Sequence, residues 1–291
     1  MSKKRNVLIE SQKGKSEIFY KYQKITADKF PLKNLENNEL YFRSPTEFND
    51  PYDSLSDIIY EGMEDKFSCF LPPYEKYKNE EGIYSVNPGI YSQDKNNSKP
   101  IELRNNLKIC CFSKYQRSLL LWSHYADYHR GICFGFEGKY LGNEGKNSGL
   151  AQNRKCYSFD LETEMIFSSP IFYEVKYQDS LPKQLNMVTT KKLTPLLDFV
   201  LTKQSDWAYE QEYRLIDLTA DESLYKIHKF KKETLKEVIL GIKTPEPVIK
   251  CVIDIIKKEY LQKEYTVEVY QMKPLDRKYA IIPEKIDLDT F

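Results

Sequence analysis

Ile171, Tyr173, Val175 and Tyr177 alternate with polar residues, a period of two that predicts a half-buried strand over 171–177. Short apolar runs predict further strands at Ile18–Tyr22 (IFYKY), Leu40–Phe42, Glu237–Leu240 and Val267–Tyr270. A period of 3.6 appears in two places. Thr194 and Pro195 open a helix whose stripe is Leu196, Leu197, Val200 and Leu201, and residues 246–262 place Val248, Ile249, Val252, Ile253, Ile256 and Tyr260 on one face. A shorter helix is expected over 31–38, with Pro31 in its first turn. The densest stretch is 107–136, LKICCFSKYQRSLLLWSHYADYHRGICFGF. It predicts an apolar strand, a polar turn, an aromatic helix, a glycine and a second strand. That helix sets Trp122, Tyr125 and His129 at i, i+3 and i+7, on one face.

Between these elements the pattern lapses. Residues 1–16 are polar and predict an arm or a first edge element; residues 60–105 and 138–160 predict irregular insertions. Strands and helices interleave without a regular βαβ rhythm, and neither G-x-G-x-x-G nor G-x-x-x-x-G-K-[ST] occurs. The expectation is a single α+β domain over 1–291, with a mixed, largely antiparallel sheet flanked by helices.

Charge changes this picture little. The chain carries 44 basic and 43 acidic side chains, net +1, so no global field draws it to nucleic acid or to a membrane. No apolar run reaches the length of a membrane span, and no apolar segment follows the basic residues at the start, so neither a membrane partner nor a signal peptide is expected. The 6 Cys form no C-x-x-C pair, and Cys110, Cys133 and Cys251 sit in apolar segments. Buried free thiols in a reducing cytoplasm are the expectation. No H-E-x-x-H and no Cys/His cluster is present, so no metal is expected.

Two segments carry unusual chemistry. Trp122 and Tyr125 make a good wall for a flat ring, although a core helix with polar tips is the plainer reading. Far downstream lies WAYEQEYRLI at 207–216, in which an extended chain would set Glu210, Glu212 and Arg214 on one face. A solvated strand face with a paired arginine is the plainer reading here. The apolar Leu215-Ile216 ending argues instead for entry into a sheet, where such charges need each other or a ligand. Asn49-Asp50-Pro51 reads as a turn whose side chains bond their own backbone, or as a ligand-facing loop at a cleft edge. Arg214 reads more readily as an orienting partner of Glu210 or Glu212 than as a substrate contact.

Taken together, YKYQ at 20–23, LENNELYFRSPTEFNDPYD at 35–53, ICCFSKYQRSLLLWSHYADYHRGICFGFE at 109–137 and WAYEQEYRLI at 207–216, with KEVILG at 236–241, resemble one bacterial family, the domain of unknown function numbered 2971. The resemblance spans nearly the whole chain in order, and the FNDP, WSHYA and E-x-E-Y-R elements are specific in combination. That family name implies no activity. A more distant resemblance, to ADP-ribosyltransferases, implies one, with NAD as the substrate. Lys21, beside Tyr22, takes the first-strand position, where His or Arg is usual. Ser113, Ser123 and Tyr125 resemble the nicotinamide-binding strand and helix, with Tyr125 or Trp122 stacking the ring. Arg43 or Lys21 faces the pyrophosphate, Asn49 and Asp50 edge the cleft, and Glu210 and Glu212 form the catalytic E-x-E, with Arg214 beside them. The resemblance implies transfer to a protein or nucleic acid, as a toxin or phage-defence effector with an antitoxin or defence-system partner. Two alternatives stand beside it. One is a non-catalytic module that senses a nucleotide or partner. The other is a nuclease holding a divalent cation on Asp50, Glu210 and Glu212.

Overall fold

The computed structural model describes residues 14–26, 30–55, 58–59, 107–142, 154–162, 170–183, 185–186, 193–218 and 225–290, with the single positions 104 and 223. Most of the expected arm, the greater part of the 60–105 insertion and much of the 138–160 loop lie outside the described residues.

Eleven strands form one sheet. They are β1 (Ser16–Gln23), β2 (Glu39–Arg43), β3 (Leu107–Ser113), β4 (Ile132–Tyr140), β5 (Cys156–Ser158), β6 (Ile171–Glu174), β7 (Glu212–Leu218), β8 (Tyr225–Lys229), β9 (Leu235–Leu240), β10 (Glu268–Pro274) and β11 (Ile281–Lys285). The order runs β8-β2-β3-β7-β6-β5-β4-β9-β10-β11, and β1 pairs with both β3 and β4. That double pairing closes a ring, β1-β3-β7-β6-β5-β4, every step of it antiparallel. Closure removes the exposed edges that these six strands would otherwise present. The remaining strands branch outward, β2 and β8 from β3, and β9 to β11 from β4. Within this sheet the one parallel pair among the described residues is β9 with β10, joined by the helix Glu246–Glu259. The fold is α+β with a largely antiparallel sheet, and no described helix is long and apolar enough to cross a membrane.

The ring is filled with aromatic side chains. Phe19 of β1 stacks on Phe172 at 4.2 Å and meets Tyr157 and Tyr213 edge-on at 4.9 Å. Phe112 adds edge contacts to Phe172 and Phe136 at 4.9 and 5.9 Å. Period two does the sorting along β7. Tyr213 and Leu215 join the aromatic core, so Glu212, Arg214 and Ile216 turn to the other face. Among the described residues the helices are α1 (Phe30–Glu36), α2 (Leu119–Tyr125), α3 (Leu193–Val200) and α4 (Glu246–Glu259). The α4 stripe of Ile249, Val252, Ile253 and Ile256 is buried in the same core cluster as Val238 and Leu240 of β9 and Val269 of β10. It packs against α1 and is closed by Tyr260, which donates to the Leu35 carbonyl at 2.7 Å.

Four local expectations are corrected. First, α2 stops at Tyr125, so His129 does not extend its face. Asp127, Tyr128 and His129 take φ of 46°, 51° and 70°, a left-handed turn in which the N–H groups of Tyr128, His129 and Gly131 satisfy the carbonyls of Ser123, Trp122 and Ala126. Gly241 supports the turn, because a Cβ there would sit 2.1 Å from the His129 carbonyl oxygen. Second, the expected strand at 207–216 starts only at Glu212. Ser205–Glu210 is a 3-10 helix capped by Gln204 and ended by Gln211 at φ 44°. Third, β5 lies inside the expected loop, and the edge strands β8 and β11 turn apolar side chains outward, exposed Tyr225 and Ile227 in one and Ile282 in the other, with Pro283 beside it. Fourth, Cys251 is only half-buried, whereas Cys110 and Cys133 are buried, and all three are free thiols.

Phe19→Ala should lower stability by about 3–5 kcal/mol, since the ring closes over that side chain. Urea unfolding monitored by near-ultraviolet circular dichroism checks this, and a loss below about 1 kcal/mol would show that Phe19 does not anchor the ring.

Candidate functional site

Between β1, β3, α2 and the loop after β2 lies a cleft of about 460 Å³. Its basic side carries Lys21 and Lys24 from the β1 end and the exposed Arg43 from β2. Lys21 donates to the Cys111 carbonyl at 3.2 Å, and its ammonium lies 5.3 Å from the Phe112 ring centre. Tyr22, Phe48 and Tyr125 supply aromatic surface, and Asn49 donates to the Tyr125 hydroxyl at 3.4 Å. Glu210 and Glu212 line the same cleft, together with Ser113 and Lys203.

The carboxylates are set by different elements. Glu210 ends the 3-10 helix, and its main-chain oxygen accepts from the Ser113 hydroxyl at 2.6 Å. Glu212 opens β7, paired with Ser113 across the ladder, and its N–H donates to the Tyr177 hydroxyl at 2.8 Å. The left-handed Gln211 between them turns the chain so that both side chains reach one cation. Lys203 donates to Glu210 at 2.7 Å and Glu212 at 3.3 Å, and lies 3.6 Å from Asp53. Tyr125 donates to the other Glu210 oxygen at 2.6 Å.

Arg214 is the fully buried member of this group, at 0% exposure. It grips Asp53 with two bonds of 2.6 and 2.8 Å and Glu212 with two of 2.7 and 3.1 Å, and it donates to the Val200 carbonyl at 2.6 Å. The pairing separates the two glutamates electrostatically. Burial alone would raise the Glu212 carboxyl, but Arg214 and then Lys203 outweigh it and hold the group at about 2. Burial also raises the Glu210 carboxyl, and there the opposing pull of Lys203 does not prevail, because the Glu212 charge adds to the rise. Glu212 is thus held ionised, and Glu210 is the readier of the two to take a proton. Burial and then Glu210 raise the Tyr125 phenol, which keeps it a donor.

Lys21, Tyr22, Arg43, Asn49, Ser113, Tyr125, Glu210 and Glu212 therefore line one cleft despite their spread along the chain. Four expected site residues do not. Trp122 is fully buried, its indole donating to the Gln116 carbonyl at 2.8 Å and meeting Tyr22 edge-on, so no stacking face is left open. Ser123 shares a 3.1 Å hydrogen bond with His129 outside the cleft. Asp50 accepts from the Tyr52 N–H at 2.9 Å, the turn-forming role, and Arg214 lies behind the carboxylates. The Ser113 and Tyr22 hydroxyls line the cleft but are engaged, the latter with the Tyr115 carbonyl at 2.6 Å. Asp50, Glu210 and Glu212 are not brought together as a metal-ligand set, and among the described residues no group of three or more His, Cys, Asp or Glu side chains is placed to hold an ion.

Sequence reading missed Lys203 and Asp53. Asp53 ends the FNDPYD run, where a second acid after the turn was a usable signal. Lys203 carries no local mark, being one lysine among many, placed by the parallel pairing of Thr202–Lys203 with Lys176–Tyr177.

A family model described as "Protein of unknown function (DUF2971)" matches residues 121–215, from the aromatic helix to the E-x-E-Y-R strand. The match supports the resemblance to that family. No curated protein and no solved structure matches the chain, so these comparisons lend the ADP-ribosyltransferase resemblance no support.

Two outcomes follow from the ion network. Arg214→Met leaves Asp53 and Glu212 buried without their main partner and should cost about 3–5 kcal/mol in urea unfolding. A cost under about 1 kcal/mol would mean the network relaxes freely. The second concerns acid. Glu212 is held below its ordinary value of 4.5, at about 2, so its contribution to stability is present above 4.5 and lost as pH falls toward 2. Glu210, shifted upward, works with the opposite sign. Glu212→Gln should therefore flatten the loss of stability across that acid window, read from denaturant melts at stepped pH.

Proposed function

We propose that the chain is an ADP-ribosyltransferase-like enzyme that cleaves the nicotinamide–ribose bond of NAD and passes ADP-ribose to a macromolecule. The observation that carries this reading is the meeting of two buried carboxylates and a basic wall in one aromatic-lined cleft. NAD presents the matching chemistry, an anionic pyrophosphate, flat rings, and a cationic ring on a ribose. Lys21 and Arg43 suit the pyrophosphate. Tyr125 offers ring surface where the nicotinamide would lie. As the glycosidic bond breaks, its electron pair leaves with nicotinamide and positive charge develops on the ribose, as in glycoside hydrolysis. An ionised Glu212 offsets that charge. The acceptor nucleophile then bonds to the ribose carbon and gives its proton to Glu210, the carboxylate whose affinity for a proton is raised.

A second reading, binding of the nucleotide without turnover, is favoured by one observation. Both Glu212 oxygens are already bonded, to Arg214 and Lys203, as in a structural ion pair.

Nicotinamide release from NAD by the purified protein separates the two. Glu212→Gln should lower release on the order of a hundredfold or more while leaving a folded protein, since Gln keeps the shape and removes the charge. Glu210→Gln should impair transfer more than hydrolysis. Growth arrest on expression, lost in Glu212→Gln, would tie the chemistry to toxicity. Full turnover by folded Glu212→Gln excludes the transferase mechanism, and NAD binding by calorimetry without release assigns the cleft to the second reading.

A further inference from the structure

Lys203 sits where the site's charges converge. It is 7% exposed, in a two-residue strand that follows α3, with the Trp207 ring 4.8 Å from its ammonium. One nitrogen serves three acids on three elements: Glu210 on the 3-10 helix, Glu212 on β7 and Asp53 on the loop after β2. An ammonium can do this because its three N–H donors point in different directions, whereas the flat guanidinium of Arg214 is committed to paired bonds with Asp53 and Glu212. Among the described residues Glu210 receives no charged partner other than Lys203; its second contact is the neutral Tyr125 phenol.

Two carboxylates this close in a buried wall repel each other, and without a shared cation such a pair retains a proton. We infer that Lys203 is a positioning residue of this site, holding Glu210 and Glu212 side by side and offsetting their repulsion so that both can face one ligand. Its consequence for catalysis rests on the proposed NAD chemistry; the clamp itself rests on the contacts. The titratable groups facing Lys203 are Asp53, Glu210, Glu212, Arg214, Tyr125, Tyr177 and Tyr209. Of these, Arg214 is tied to Glu212 and Asp53, so the loss of Lys203 falls mainly on Glu210.

The test is Lys203→Met, which keeps the length of the side chain and removes its charge. Side-chain carboxyl titrations are followed by carbon-13 NMR on glutamate-labelled protein, assigned with Glu210→Gln and Glu212→Gln. The Glu210 titration should move up by about one pH unit or more, while that of Glu212 moves less. Lys203→Arg should restore only part of the difference. Unchanged titrations in folded Lys203→Met overturn the inference. Should Lys203→Met fail to fold, the lysine ammonium signals of the wild-type protein decide. One slowly exchanging signal that shifts in both Glu210→Gln and Glu212→Gln supports the clamp; a signal that responds to neither or to only one overturns it. If wild-type protein releases no nicotinamide, the transferase reading fails while these titrations still test Lys203. If it does release nicotinamide, the pH profile of release should shift in Lys203→Met in the direction of the carboxyl titration.

Discussion

The buried guanidinium of Arg214 is the constraint on which the site's construction depends. It cannot be left unpaired in a low-dielectric interior, so the chain must bring acids to it. Asp53 arrives from the loop after β2, Glu212 from the same strand, and the Val200 carbonyl from the end of α3. One side chain thereby ties β7 to the end of α3 and to the remote loop that carries Asp53. Lys203 extends the pattern to Glu210, and Tyr125 extends it from Glu210 to α2. The cleft's acidic wall is the outer face of a structural ion network, not a pair of loose side chains.

The ring explains why that network can exist on a sheet. With Phe19, Phe112, Phe172 and Tyr213 filling one face of the strands, the opposite face of β7 is free to carry charge. Alternation that would be ordinary in an exposed strand here separates an aromatic interior from an ionic one, three residues after a left-handed turn at Gln211 for Arg214 and one after it for Glu212. The same turn breaks the strand, so that Glu210 approaches Lys203 from a different element than Glu212 does.

Much of this was legible in the chain. The α+β class, the strand–helix–strand order of 107–136, the buried Leu197 and Val200 of α3, the α4 stripe and the pairing of Arg214 with one of the two glutamates follow from periodicity and from the cost of burying charge. Tyr225–Lys229 and Ile281–Lys285 are edge strands that turn apolar side chains such as Tyr225, Ile227 and Ile282 to water, so their patterns do not mark a buried face. Trp122 was read as a wall because aromatic residues on one helical face fit both a core and a cleft, and only tertiary packing against Tyr22 decides between them. The E-x-E segment was read as one strand because the turn between its two acids uses Gln, not the Gly or Asn that usually signals a left-handed residue. Lys203 was invisible for the plainest reason: its role is defined wholly by neighbours distant in the fold.

The closure of the ring by β1 bears on how the molecule comes into being. Residues 16–23 pair with residues 132–139, and the aromatic interior they cover includes side chains from β6 and β7. β1 therefore has no ladder partner until Ser113 and β4 have followed, and its Phe19 has no stacked neighbour until residue 172. Such long loops close slowly. Lys21 rides on that same strand, while Glu210 and Glu212 come later still. The cleft's lining is thus drawn from segments as far apart as Tyr20 and Glu212, and a chain that stops before residue 210 lacks its two glutamates.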